Sequence, residues 1–186
     1  MKEISGGALI TKILIQNGIN KAFCVPGESY LGVLEAIRER KNKFDLVVCR
    51  HEGGAAYMAE AYGRLTQMPG ICFVTRGPGA CNASIGVHTA YHEGTPLILF
   101  VGQVPVKSLK KNAFQSIDTD KFFNSMAKYT ETIKNPKNIR KIVEKAIYIS
   151  TEGKPGPVVL GIPEDIQFAM VSDKISEVLE LSLIHI

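Results

Sequence analysis

The sequence predicts an α/β fold, a three-layer arrangement in which helices cover both faces of a parallel six-stranded sheet. Short apolar runs alternate with helical patterns along most of the chain, and this alternation is typical of a parallel sheet with right-handed crossovers. Polar or glycine-rich turns follow two of the apolar runs, at residues 50–54 and 76–79. Because ligands of open α/β sheets bind at the carboxyl ends of the strands, the two turns predict one shared crevice.

The first helix is expected over residues 5–17, where apolar positions recur at helical spacing, with Ser5 as its cap and Gly18 as its stop. Residues 44–49 are β-branched and apolar enough to predict a buried parallel strand. The same patterns predict further helices over 30–40, 53–66, 78–92 and 136–150, and further strands over 21–25, 70–75, 96–102, 127–132 and 158–162.

One domain accounts for residues 1–168, since a chain of 186 residues can bury a substantial core without a second domain. Residues 103–120 form a Lys-rich connection of unusual length, which predicts a functional loop. Residues 169–186 combine a short amphipathic run with an apolar end. We expect them to be the start of a linker or a truncated tail.

The composition argues against several classes of function. The net charge of +4 comes from scattered Lys and Arg residues, so nucleic-acid binding is not expected. There is neither an apolar run of about 18 residues nor a signal peptide, which predicts a cytoplasmic protein without a membrane partner. The four cysteines lack CxxC spacing, and three of them lie in or beside apolar runs, so we expect reduced core residues. These cysteines are Cys24, Cys49, Cys72 and Cys81.

Glu52 stands where a predicted strand ends and a helix begins. Taken alone, it is equally well explained as a first-turn carboxylate that complements the helix dipole. The second turn, Gly77-Pro78-Gly79, has the same position after its own strand, and this equivalence favours a binding role for Glu52. The turn lacks GxGxxG spacing, and neither a P-loop nor a Gly-x-Ser-x-Gly elbow occurs, which argues against dinucleotide-binding, P-loop and serine hydrolase folds.

Six motifs follow one another in a particular order: Val25-Pro26-Gly27, Arg50-His51-Glu52-Gly53-Gly54-Ala55-Ala56, Gly77-Pro78-Gly79-Ala80-Cys81-Asn82, Gly102-Gln103-Val104-Pro105, Ala113-Phe114-Gln115 and Gly153-Lys154-Pro155-Gly156-Pro157-Val158. With them the chain resembles the pyrimidine-binding domain of thiamine-diphosphate enzymes, over residues 4–166. Among these enzymes it is most similar to the acetolactate synthase large subunit.

The resemblance implies part of an enzyme that decarboxylates a 2-oxo acid such as pyruvate and joins the product to a second carbonyl compound, as in branched-chain amino acid biosynthesis. It implies thiamine diphosphate as cofactor, Mg²⁺ bound by a domain not in this chain, and FAD as an optional cofactor of the full-length enzyme. It also implies a homodimer or homotetramer, in which the diphosphate-binding domain of a second subunit completes the site. This chain alone would then be inactive.

The resemblance also implies site residues. The Glu52 carboxyl group would bond to the aminopyrimidine ring nitrogen and so activate the cofactor, and the Gln115 amide would act near the reaction centre. An ordinary strand-to-helix turn at Pro26, a structural polar role for Asn82 and a solvated Gln115 stay open as alternatives, and His51 is expected to orient the backbone. The implied cofactor-binding residues are Pro26, Gly27, Glu52, Gly77, Pro78, Gly79 and Asn82, with no metal ligand.

Departures from the family pattern leave the exact substrate open. Arg76 stands where many acetolactate synthases have Ser, and residues 91–94 replace a more usual acidic and polar stretch. A Gly-Asp-Gly segment for the diphosphate and Mg²⁺ is absent from the sequence. The alternatives are a stand-alone pyrimidine-domain subunit of a split 2-oxo-acid decarboxylase and a non-catalytic module of the same fold.

Overall fold

A computed structural model describes residues 3–173 of the chain, and a six-stranded parallel sheet lies at its centre. The expected α/β fold is therefore confirmed, and each predicted strand is present with slightly different ends. The strands are β1 (Glu3–Ser5), β2 (Lys21–Cys24), β3 (Asp45–Val48), β4 (Gly70–Val74), β5 (Leu97–Gln103), β6 (Tyr129–Thr132), β7 (Pro157–Pro163) and β8 (Met170–Ser172).

The predicted helices are also present. The first begins as expected, because the Ser5 hydroxyl accepts a hydrogen bond from the Ala8 N–H at 3.2 Å. It ends before Gly18, whose φ of +76° lies in the left-handed region that favours glycine. The helices are α1 (Gly6–Gln16), α2 (Leu31–Arg38), α3 (Glu52–Thr66), α4 (Gly77–Glu93), α5 (Thr119–Phe123), α6 (Ile139–Thr151) and α7 (Glu164–Phe168).

Helices cover both faces of the sheet, as the three-layer prediction requires. Residues of α1, α2 and α6 share one apolar core with Phe73 and Phe100, whose rings stack with their centroids 4.8 Å apart. Residues of α3 and α4 pack on the other face against Cys72, Leu99 and Val101. Full burial of one such large side chain stabilises the fold by about 1.5–3 kcal/mol. Within residues 3–173, no helix is long and apolar enough to cross a membrane.

A small second sheet was not predicted. It consists of β1 and β8, which pair antiparallel with Ile4 opposite Val171. Three-residue strands carry too little periodicity to be recognised in a sequence. The linker or tail expected at residues 169–186 stays a prediction: its first residues contain β8, and residues 174–186 lie outside the described part of the chain.

The prediction of a buried strand at 44–49 was wrong about burial. Here β3 is an edge strand that pairs only with β2, and Val48 is 62% exposed. An apolar run indicates a strand, but it does not show whether a neighbour covers it. For a similar reason only two cysteines, Cys24 and Cys72, are core residues, whereas Cys49 is half-buried and Cys81 is exposed.

The strand order β3-β2-β4-β5-β7-β6 places a switch point between β2 and β4. From β2 the chain crosses to β3 on one side, and then returns to β4 on the other side. In open α/β sheets such a switch leaves a crevice at the carboxyl ends of the strands. The turns that follow β2, β3 and β4 all lie at this edge, and they contain the predicted site residues other than Gln115, which lies in the loop after β5.

Candidate functional site

Glu52 is the first residue of α3, as the sequence predicted. The helix begins there because His51 has an extended backbone and its Nδ1 atom accepts a hydrogen bond from the Gly53 N–H at 3.1 Å. His51 therefore orients the backbone of this turn, in agreement with the expectation. The result is a half-buried carboxyl group at the positive end of a helix dipole.

The turns after β3 and β4 meet at this carboxyl group. Its Oε2 atom accepts a hydrogen bond from Asn82 Nδ2 at 2.9 Å, so the first turns of α3 and α4 are linked directly. On its other side lies Gly79, where an added Cβ would be 3.4 Å from Glu52 Oε1. The prediction that the two turns share one crevice is thus confirmed.

Glycines keep the backbone of the second turn accessible beside Glu52. A Cβ at Gly77 would lie 2.9 Å from the Gln115 carbonyl oxygen, and one at Gly79 would lie 3.1 Å from Thr75 Cγ2. Pro78 between them is exposed. A Cβ at Gly79 would also lie 3.4 Å from Glu52 Oε1, so the absence of a side chain there leaves the backbone bare beside the carboxyl group, where a flat ligand could lie against it.

The turn after β2 packs against the end of β4. A Cβ at Gly27 would be 2.7 Å from Thr75 Cβ, and the Ser29 and Thr75 hydroxyl groups are hydrogen-bonded at 2.7 Å. Pro26 is exposed at the tip of this turn. The structure therefore places Pro26 and Gly27 at the same edge of the sheet as Glu52, on the β2 side of the switch point.

Gln115 reaches the site through its backbone. Its carbonyl oxygen accepts a hydrogen bond from the Gly77 N–H at 2.8 Å, and its φ of +59° is left-handed. The side chains of Gln115 and Phe114 are exposed, Phe114 to 77%. The long loop thus closes on the Gly-Pro-Gly turn, while the amide group of Gln115 faces outwards from this part of the chain.

Two polar contacts that sequence reasoning missed anchor this loop. The buried Gln103 side chain at the end of β5 donates from Nε2 to the Ile117 carbonyl oxygen at 2.8 Å. The Asp165 carboxylate accepts from the Val106 N–H at 3.1 Å. The sequence signal for Gln103 was an amide within an otherwise apolar strand, because a buried amide needs hydrogen-bond partners.

Arg76 was singled out only as a departure from the family pattern, yet its guanidinium lies at the centre of this edge. Its side chain is 11% exposed and pairs through Nη2 with Glu164, with Glu28 Oε1 at 3.4 Å from the same nitrogen. The signal for this contact was a charged residue directly before a glycine turn. Sequence spacing could not identify its partners, which lie 48 and 88 residues away.

This arrangement suits recognition of a flat, nitrogen-containing ring. Glu52 offers one carboxyl group that can share a proton with a ring nitrogen, and Asn82 holds that group in place. Within residues 3–173, no group of three or more His, Cys, Asp or Glu side chains could hold a metal ion. The described residues therefore support hydrogen-bonding chemistry around one carboxyl group.

A separate depression of about 610 Å³ is not a rival site. Its lining includes Lys21, Lys41 and Phe44, near the amino ends of β2 and β3. Ligands of parallel sheets bind at the opposite ends of the strands. Its polar groups also include Lys21 and Asp45, which pair with each other rather than facing an open space.

Comparisons with known proteins agree with this geometry. Residues 4–122 match the family described as thiamine pyrophosphate enzyme, N-terminal TPP binding domain. The acetolactate synthase catalytic subunit of Saccharomyces cerevisiae mitochondria is 33% identical over 172 residues, which are 92% of this chain and 25% of that protein. The Escherichia coli acetolactate synthase isozyme 3 large subunit is 34% identical over 89% of this chain and 29% of its own length.

A third relative, the acetolactate synthase large subunit of Lactococcus lactis, is 36% identical over 92% of this chain and 30% of its own length. The chain thus spans between 25% and 30% of the length of these three relatives. The similarity covers nearly all of this chain, including every turn of the candidate site.

Proposed function

Since this chain belongs to the thiamine pyrophosphate enzyme family, we propose that it is the pyrimidine-binding part of an acetolactate synthase-like enzyme. The enzyme would decarboxylate a 2-oxo acid, with pyruvate as the first candidate, and form a new carbon–carbon bond. One observation carries the proposal: Glu52 lies at the switch point of the sheet, hydrogen-bonded to Asn82 and beside Gly79, which has no side chain to cover the carboxyl group.

The residues of the crevice fit an aminopyrimidine ring. Glu52 would hydrogen-bond a ring nitrogen, and Asn82 would keep its carboxyl group in the required direction. Gly77, Pro78 and Gly79 would lie along the ring, because Gly79 has no Cβ beside the Glu52 carboxyl group. On the other side of the switch point, Pro26 and Gly27 would complete the contact.

When bound, thiamine diphosphate would supply a carbon nucleophile for the 2-oxo group and an electron sink for the decarboxylation. In this chain, Glu52 would hold the proton shared with the ring nitrogen, and general acid–base groups of this kind contribute about 10²–10⁴-fold to rate. The Gln115 side chain, which faces outwards here, would turn towards the site, and its amide would then hydrogen-bond a reacting group. Its backbone is already bonded to the glycine turn.

Further parts of the enzyme belong to the same proposal. The diphosphate and Mg²⁺ would be bound by the diphosphate-binding domain of a second subunit, which gives a homodimer or homotetramer. We place the boundary of the pyrimidine-binding domain just after β8, because this strand pairs with β1, and we propose that a linker follows it. Branched-chain amino acid biosynthesis, a cytoplasmic location and FAD in the full-length enzyme are parts of this proposal that rest on the resemblance alone.

The test uses the full-length gene product with pyruvate, thiamine diphosphate and Mg²⁺, and measures carbon dioxide and acetolactate together. Glu52→Gln should lower kcat by about 10²–10⁴-fold, since the amide cannot share a proton with the ring nitrogen. Glu35→Gln is the matched control, because Glu35 is exposed on α2 and pairs only with Arg38 three residues away. It should leave turnover unchanged.

Three other outcomes would change the conclusion. Carbon dioxide without acetolactate would indicate a decarboxylase rather than a carboligase. Turnover that survives Glu52→Gln would contradict the role given to this carboxyl group. If the wild-type protein binds thiamine diphosphate but turns over none of several 2-oxo acids, the non-catalytic module is the better description.

A further inference from the structure

Arg76 connects three turns at the carboxyl edge of the sheet. It follows β4 directly, whereas its partner Glu164 begins α7 after β7 and Glu28 follows β2. In the sheet, β5 separates β4 from β7, so these turns are not held together by neighbouring strands alone. One guanidinium group thus joins turns on both sides of the crevice that contains Glu52.

We propose that Arg76 is a positioning residue, which fixes the Gly77-Pro78-Gly79 turn in the place where it receives the cofactor. The proposal rests on the function proposed above, because that function assigns the turn to cofactor binding. Arg76 itself need not touch any ligand. It acts through the turn that begins at the next residue.

Other polar links hold the neighbouring segments, and one of them ends at Thr75, directly before Arg76. Ser29 is bonded to Thr75 through their hydroxyl groups, and Gln167 Nε2 donates to the Ser29 carbonyl oxygen at 2.8 Å. These contacts fix the β2 turn and α7. Among the described residues, the start of the glycine turn has two polar links to other segments, the Arg76 ion pairs and the Gly77 N–H bond to Gln115.

The chemistry of the Arg76 guanidinium group also favours a role in positioning the glycine turn over a role in stabilising the whole fold. The arginine side chain carries a planar, always charged group, and here its Nη2 nitrogen faces the carboxylates of both Glu164 and Glu28. Arg76 Nε is buried without a hydrogen-bond partner among the described residues, and a buried ion pair is weak evidence for a gain in stability. A contact that adds little stability but sets a direction is consistent with a role at the site.

The kinetic test uses Arg76→Met and Arg76→Lys in the full-length gene product. Arg76→Met should raise the thiamine diphosphate concentration for half-maximal activity about ten-fold, since misplacing a binding group by about 1 Å costs up to about 100-fold. Arg76→Lys should recover part of this loss, and Glu164→Gln should reproduce part of it. Arg140→Met is the matched control, because Arg140 is 7% exposed and forms its ion pairs away from the site, with Glu144 at 2.9 Å and Asp173 at 4.0 Å.

Hydrogen exchange gives a second measurement that needs no activity. In the protein without cofactor, Arg76→Met should speed amide exchange about ten-fold at residues 27–30 and 77–80, because it removes a charge-assisted link between these segments. Exchange in β4 and β5 should stay unchanged. Arg140→Met should produce no change at either segment, although it is expected to lower the unfolding temperature.

The two measurements separate this proposal from the proposed function. If the wild-type protein is inactive but Arg76→Met still changes hydrogen exchange as expected, the proposed function is rejected and the role of Arg76 in linking the turns is retained. Equal half-saturation in wild type and Arg76→Met, or unchanged exchange at residues 77–80, would overturn the positioning role. A lower unfolding temperature with neither local effect would show that Arg76 has only a structural role.

Discussion

Packing between α3 and α4 sets the position of the two residues that meet at the site, and Gly86 gives a direct test of it. A Cβ added at Gly86 would lie 2.6 Å from Ala56 Cβ and 2.8 Å from the Ala56 carbonyl carbon. Carbon atoms in favourable contact are about 3.5–4.0 Å apart. Gly86→Ala should therefore push the helices apart by about 1 Å, since the backbone of Ala56 cannot rotate away.

The magnitude follows from two opposing effects. Overpacking of a filled core costs about 1–3 kcal/mol, and a clash against backbone belongs at the upper end of this range. Alanine is a better helix former than glycine by about 1 kcal/mol. The net loss is then about 2 kcal/mol, or about 4–8 °C in unfolding temperature for a domain of this size. Because Glu52 and Asn82 bond across the two helices, cofactor affinity should fall as well.

Thermal unfolding of the full-length protein, with and without thiamine diphosphate, is the assay. Gly54→Ala is the matched control, because Gly54 is also in α3 but an added Cβ there meets no atom within 4 Å. It should raise the unfolding temperature slightly or leave it unchanged. If Gly86→Ala is as stable as Gly54→Ala, the two helices can adjust freely, and the reasoning from close packing is refuted.

Two further predictions concern single side chains. Asn82→Ala should lower kcat about ten-fold, because it removes the 2.9 Å hydrogen bond to Glu52. The unfolding temperature should stay nearly constant, because Asn82 is exposed. A large loss of stability without a change in kcat would contradict this assignment. Burial raises the pKa of the Cys24 thiol to about 11. Iodoacetamide at pH 8 should therefore label the exposed Cys81 and leave Cys24 mostly unmodified. Mass spectrometry of the peptides measures the labelling of each cysteine. Equal labelling of the two would show that the core opens easily.

Much of the fold could be predicted because each large element has a local signal. The apolar runs of β4 and β5 are short and bounded by turn residues, and α1 has a capping Ser5 and a left-handed Gly18 at its ends. Such signals depend on residues a few positions apart. The β1–β8 pair was missed because its partners are separated by most of the chain and each has only three residues.

The candidate site divides in the same way. Glu52 could be found from its place between a strand and a helix, and the glycine turn from its composition. The contact of Arg76 with Glu28 and Glu164 could not be found, since it joins turns that follow three different strands. The outward direction of the Gln115 side chain also depends on how the loop closes on Gly77.

The sequence by itself determined the order of the six central strands and the five longer helices, the position of Glu52 at the start of α3, and the motifs that indicate the family. These follow from local backbone preferences and residue spacing, which need no knowledge of distant contacts. Only the tertiary structure decided the strand order, the edge position of β3, the bond between Glu52 and Asn82, and the central place of Arg76. The physical reason is that each of these depends on which distant segments pack together. The same local sequence pattern can occur in a segment that a neighbour covers and in one that stays exposed.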